Sequence, residues 1–167
     1  MSLCDEDRPS FRVHNRTYLS AGVMFYCIDS EGIIHFLIQR VKDKSWIYED
    51  FGGKSQKGDK TIKDVAVRES SEELNGVFTP EFIQGLPCAE YLIPYNKYIA
   101  YIAKLDSVYL NMDLTQFGNH ELLWNLERSV VWVKYEDLWN MHPSLIHPRL
   151  QPNFKYWLPL LLTELEA

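Results

Sequence analysis

The chain has 167 residues, 46% of them hydrophobic, and a formal net charge of −6 from 17 basic and 23 acidic side chains, which suits a single domain with one sizeable core. No run of lysine or arginine is dense enough to track a nucleic-acid backbone unaided, which argues against nonspecific DNA binding. Cys4, Cys27 and Cys88 stand far apart without zinc or disulfide spacing, the start MSLCDEDRPS lacks a signal-peptide pattern, and the longest apolar patch, WLPLLL, is too short to span a bilayer. A cytoplasmic address with reduced thiols is the expectation, the nucleus remaining open.

Residues 1–15 are expected to form a flexible N-terminal segment. AGVMFYCI (21–28) and IIHFLIQR (33–40) are β-rich runs separated by DSEG, a hairpin signal. The stretch 60–74 favours helix: Asp59 or Thr61 can cap its start, Asn75-Gly76 supplies a stop, and nothing between breaks it. AEYLIP (89–94) and KYIAYIAKL (97–105) read as a second strand pair, SVVWVKY (129–135) as a short buried strand, and YEDLWNM as one or two helical turns. Residues 152–167 predict a helix that Pro159 kinks or delays. With no internal repeat and no linker, the pattern predicts one α/β domain with a mixed sheet over the whole of 1–167.

At about 100° per residue, Glu69, Glu72 and Glu73 fall on one side of the predicted helix, with Arg68 just beyond them and Ala66, Val67, Ser70 and Leu74 on the packing side. Like charges at these spacings repel by a few tenths of a kcal/mol per pair. Glutamates on a helix usually form no more than a solvated face, but a hard divalent cation prefers such an oxygen-rich patch.

The ordered positions around that patch resemble the signature of the Nudix hydrolases, G-x5-E-x7-R-E-U-x-E-E-x-G-U, with U a bulky aliphatic residue. Gly53 matches the opening glycine, Arg68-Glu69 the RE, Glu72-Glu73 the EE and Gly76-Val77 the closing pair. FLIQR on the preceding strand, Trp46 and VVWVKYEDL also resemble the family, so the likeness runs from about Leu19 to Leu138. The sequence departs from the signature in four ways: Asp59 replaces the first glutamate, eight residues separate it from Arg68, Ser70 replaces U, and LN precedes Gly76. Both extra residues fall at helix ends, where insertions are tolerated.

The resemblance implies a Nudix-type α/β/α sandwich and a metal-dependent hydrolase that cleaves the pyrophosphate linkage of a nucleoside diphosphate joined to another moiety. It implies that Glu69, Glu72 and Glu73, with the main-chain carbonyl of Gly53, hold Mg2+ or Mn2+, and that Arg68 and Asp59 are structural partners. Many relatives add an acid from a later loop. Glu127 is slightly preferred here and Glu121 is the alternative; His120 is a weaker auxiliary base, and His142 and His147 receive no metal role. Arg40, Phe51 and Lys54 are candidate substrate contacts. Phe51, Trp46 and Trp124 are the rings best placed to meet a base, and Glu49-Asp50 could add charge at the rim. The implied ligand is a small nucleotide-type molecule or a capped RNA end, without membrane or DNA. Two further readings stay open: a Nudix-fold nucleotide- or RNA-binding module without turnover, and a relative with other chemistry such as allylic isomerisation, which no residue here supports.

Overall fold

The computed structural model describes residues 7–92, 97–121 and 124–150, with Pro159 and Thr163. The helix expected over 152–167 lies outside the described residues, Pro159 and Thr163 apart. Among the described residues no helix is long and apolar enough to cross a membrane.

A short hairpin, β1 (Phe11–Val13) and β2 (Arg16–Tyr18), comes first. His14 and Asn15 take φ of +48° and +65° at its tip, the left-handed pair that a two-residue turn between twisted strands requires. Phe11 and Val13 pack on the main core, and the Ser55 hydroxyl donates to the Pro9 carbonyl at 2.5 Å. The segment expected to be flexible through residue 15 is thus tied down from Pro9 onward, because its alternate residues are apolar.

The remaining strands form one mixed sheet of seven. They are β3 (Ser20–Ile28), β4 (Ile34–Asp43), β5 (Ser45–Glu49), β6 (Phe51–Lys54), β7 (Cys88–Leu92), β8 (Tyr98–Lys104) and β9 (Arg128–Lys134). β3 and β8 run parallel over their length; every other pair is antiparallel. Along β3, Ala21, Val23, Phe25 and Cys27 face one core while Met24 and Tyr26 face another. This burial on both faces explains why the strand reads as a continuous apolar run. Helix α1 (Ile62–Glu73) and α2 (Pro80–Gln84) cover the first face; α3 (Tyr135–Asn140), Ile146 and Leu150 cover the second. The layers are those of an α/β/α sandwich.

The feature that builds the site is a divergence. β3 pairs with β4 from Ile28↔Ile34 to Phe25↔Leu37, after which the two strands part. The chain from Ser45 to Lys54 fills the gap: β5 pairs with the far half of β4 from Gln39 to Asp43, and β6 pairs with the near half of β3 from Ser20 to Val23. Asp50 is the residue at the crossing and is fully buried.

Two glycines make the crossing geometrically feasible. A Cβ on Gly22 would run into the Tyr98 hydroxyl and lie 2.5 Å from the Phe51 carbonyl and 2.6 Å from Asp50 Oδ2. A Cβ on Gly52 would meet the same hydroxyl and lie 2.7 Å from the Ala21 carbonyl. Because backbone atoms cannot swing aside, Gly22→Ala should cost at least the ~1–3 kcal/mol typical of overpacking. At about 2–4 °C per kcal/mol for a chain of this size, a calorimetric midpoint lowered by several degrees is expected; an unchanged midpoint would contradict this packing.

Candidate active site

Helix α1 is fixed at both ends by its own sequence. Thr61 caps the start, its hydroxyl accepting from Asp64 N at 3.1 Å while the Asp64 carboxylate accepts from Thr61 N at 3.1 Å, a reciprocal box. Asn75 and Gly76 take φ of +61° and +69° at the exit, and Gly76 N donates to the Ser71 carbonyl at 2.8 Å. Ile62, Val65, Ala66, Val67, Ser70 and Ser71 are buried, and the Ser70 hydroxyl satisfies itself on the Val67 carbonyl at 3.1 Å. The apolar side pins the helix rotation, and rotation decides where the carboxylates point.

They point two ways. Arg68 gathers one group: its Nε and Nη2 form a two-pronged contact with Asp59 at 3.0 and 2.9 Å, and Nη1 donates to Glu69 at 2.9 Å and to Glu72 at 3.3 Å. Nη2 also donates to the Lys54 carbonyl at 3.0 Å, so this one guanidinium ties the loop after β6 to the helix. Asp59, with its side chain 6% exposed, occupies the position where the resemblance calls for a glutamate.

Glu73 turns to the sheet instead. Its Oε2 accepts from Gln39 Nε2 at 2.9 Å and from Gly52 N at 3.2 Å. The Glu69 carboxylate lies against β6 as well, its Oε2 standing 2.5 Å from where a Cβ on Gly53 would be. Glycine at 53 is therefore what allows a helix carboxylate to rest on the strand backbone.

Behind β6 stands a buried polar cluster. Asp50 accepts from the Tyr98 hydroxyl at 2.5 Å and from Arg149 Nε at 2.8 Å, and the Arg149 guanidinium lies over the Tyr98 ring at 4.8 Å. His147 N donates to the Tyr48 carbonyl at 2.9 Å, which holds the segment carrying Arg149 against β5.

Crowding of acids shifts their protonation. Loss of water around the Glu73 carboxyl, together with the Glu49, Glu69 and Asp50 charges, outweighs the opposing pull of Arg149 and pushes its pKa up to about 8. Desolvation also raises Glu49, with Asp50 and Glu121 adding to it against Arg149 and Arg128. Desolvation raises Glu69 despite its hydrogen bond to Arg68.

The structure places the remaining sequence candidates as follows. Phe51 is 0% exposed and packs in the core against Phe25 at 6.1 Å between centroids, rather than standing free as a substrate contact. Arg40 follows Gln39 on β4, and strand alternation sends it to the opposite face from the α1 carboxylates, where its guanidinium stacks on Trp46 at 4.7 Å. Trp46 is thereby occupied, whereas Trp124 is 73% exposed. Lys54 is exposed beside Gly53 at the start of the loop. Glu127 precedes the buried Arg128, and its side chain is exposed. Glu121 is the later-loop acid whose charge reaches Glu49 and Arg128, and its carboxylate accepts from Leu126 N at 3.1 Å. His120 is exposed and paired with Asn119. Gln39, Arg128 and Arg149 surround the site but carried no signal in the sequence beyond the FLIQR run.

Among the described residues no three His, Cys, Asp or Glu side chains converge as a ready metal centre. The chemistry of the donors nevertheless fits a hard divalent cation. Glu69 and Glu73 both lie against the β6 backbone at Gly52 and Gly53, an arrangement of carboxylate oxygens of the kind such ions take. Arg68 Nη1 hydrogen-bonds both Glu69 and Glu72.

No protein-family model matches the sequence, and no curated protein sequence matches it at a significant level. Solved structures do match the fold. A mutT/nudix family protein from Listeria innocua superposes with a TM-score of 0.59 at 10% identity, over 88% of this chain and 95% of that one. A C. elegans Ap4A hydrolase binary complex gives 0.54 at 17% identity, over 86% and 97%. The NUDIX domain of Shewanella oneidensis NrtR complexed with ADP ribose gives 0.53 at 14% identity, over 90% and 88%. The chain has the Nudix fold.

The Glu73 shift has a defined consequence for stability. A carboxyl with a folded-state value near 8 and an unfolded value near 4.5 favours folding fully below pH 4.5, and that contribution is lost as pH rises toward 8. In metal-free buffer Glu73→Gln should therefore gain melting temperature over wild type progressively between those limits and not below them. Parallel melting curves that stay equidistant across the range would contradict the assignment.

Proposed function

We propose that the chain is a divalent-metal-dependent hydrolase that cleaves the pyrophosphate linkage of a nucleoside diphosphate joined to another group. The observation that carries this reading is the pressing of the Glu69 and Glu73 carboxylates onto the glycine backbone of β6. The Nudix fold supports it, since it places the motif residues 53–77 on that strand, loop and helix.

Glu69, Glu72 and Glu73, with the Gly53 carbonyl, would hold Mg2+ or Mn2+. Such an ion offsets charge on phosphate oxygens and makes a bound water acidic enough to attack phosphorus. The chain's own residues do the rest. Arg68 keeps the loop on the helix through Asp59 and the Lys54 carbonyl. Gln39 and Gly52 N both donate to Glu73 Oε2, which leaves Oε1 to face the ligand of the site. Glu121 supplies negative charge from the later loop, Lys54 meets phosphate, and Trp124 offers an exposed face to a base.

Nucleotide binding without turnover is the second reading. It is favoured by one observation, the hold of Arg68 on Glu69 and Glu72. Incubation with diadenosine polyphosphate, ADP-ribose, nucleotide sugar, oxidised nucleotide, inositol pyrophosphate and capped RNA, each with Mg2+ or Mn2+, separates the two. Metal-dependent release of a nucleoside monophosphate or phosphate from at least one is expected. Glu72→Gln should lower that turnover by about 10² or more, as for loss of charge stabilisation elsewhere. Saturable binding with no product under any condition would establish the binding module and overturn the hydrolase.

A further inference from the structure

Gln39 is 1% exposed and fully engaged. Its Oε1 accepts from Arg128 Nη1 at 3.1 Å; its Nε2 donates to the Asp50 carbonyl at 3.1 Å and to Glu73 Oε2 at 2.9 Å. Arg128, itself 2% exposed, is anchored by its Nη2, which donates to the Phe117 carbonyl.

These contacts admit one orientation of the amide. A guanidinium has only donors, so the atom facing Arg128 must be the amide oxygen, and the NH2 must face the Asp50 carbonyl and Glu73. The reversed amide would set donor against donor at Arg128 and acceptor against two acceptors on the other side. Arg128 therefore dictates that Glu73 Oε2 meets an N–H. Gly52 N supplies the second donor to the same oxygen at 3.2 Å, leaving Oε1 free of both.

We infer that Arg128 and Gln39 form a positioning relay that fixes which oxygen of Glu73 is offered to the ligand of the site. The interposed amide matters. Arg68 touches Glu69 and Glu72 directly, whereas Arg128, though its charge is felt at Glu73, reaches that carboxylate by hydrogen bonds through the neutral Gln39 amide. Partners of this kind, one step behind a metal ligand, commonly account for about 10- to 100-fold in metal affinity. The relay's purpose rests on the proposed cation site, but its geometry does not.

The test uses the full chain and two readouts. Mn2+ affinity, followed by electron paramagnetic resonance, should fall by about tenfold or more in Gln39→Met and in Arg128→Met, with no further fall in the double variant. Arg128→Lys, which keeps a donor, should recover part of the loss. A folded Gln39→Met that binds Mn2+ as wild type does would overturn the relay. Gln39→Asn, which draws the amide back by one methylene, replaces Gln39→Met if that variant does not fold, with the same outcomes. The second readout needs no metal: melting temperatures of Gln39→Met, Glu73→Ala and the pair. Non-additive shifts support the relay even if wild type binds no Mn2+, a result that would remove the hydrolase reading alone. Additive shifts overturn the relay whatever the metal does.

Discussion

The passage of residues 45–54 from the edge of β4 to the edge of β3 is the constraint on which the site depends. Where the two strands part after Phe25↔Leu37, a gap must be filled by backbone that pairs first one way and then the other. The crossing residue cannot be hydrated, so its polar atoms need partners. Asp50 finds them in Tyr98 and Arg149, and the glycines at 22 and 52 leave space for the Tyr98 hydroxyl. Removing one partner of a buried pair such as Asp50–Arg149 strands the other, which generally costs about 3–5 kcal/mol. The cluster thus fixes the height of β6, and β6 fixes where the α1 carboxylates come to rest.

From that follows the electrostatic character of the site. Glu69 and Glu73 are drawn onto a strand whose glycines leave no side chain between them and the backbone, in a region that also holds Glu49 and Asp50. Two solutions to the crowding coexist. Arg68 hydrogen-bonds Asp59, Glu69 and Glu72, its one positive charge offsetting part of theirs, while Glu73 takes donors only from neutral groups and burial raises its pKa. On the proposed reading, a divalent cation would be a third solution.

Much of this was legible in the sequence. The five strands read from apolar runs were found within two residues of their expected ends, except that β4 runs three residues further, to Asp43, and α1 was bounded by Thr61 and Asn75-Gly76 as its caps imply. Of the short elements, α3 was expected as one or two helical turns, but β5, β6 and α2 were not. β5 and β6 carry a tryptophan, acids and a glycine pair, so they show no alternation to read, and α2 is a single turn and a half after Thr79-Pro80. In the site, the glutamates of α1 announced themselves by the resemblance of their surroundings to the Nudix signature. Gln39 did not, because a neutral residue in a strand gains meaning only from what stands opposite. Arg149 is 99 residues from Asp50, a distance at which sequence alone suggests no pairing. Arg40 was a candidate substrate contact, and strand alternation puts it on the face opposite Gln39, against Trp46.

The most direct measurement is a crystal structure of the full chain soaked in Mn2+, with anomalous data collected at the manganese edge. An anomalous peak between α1 and β6 is expected, with carboxylate oxygens of Glu69, Glu72 or Glu73 and the Gly53 carbonyl at about 2.0–2.2 Å, distances typical of a near-octahedral oxygen site. Arg68 should then be displaced from the glutamates while keeping Asp59. Manganese found only elsewhere, with Arg68 still on Glu69 and Glu72 and Glu73 still on Gln39, would contradict the cation site at the strand crossing.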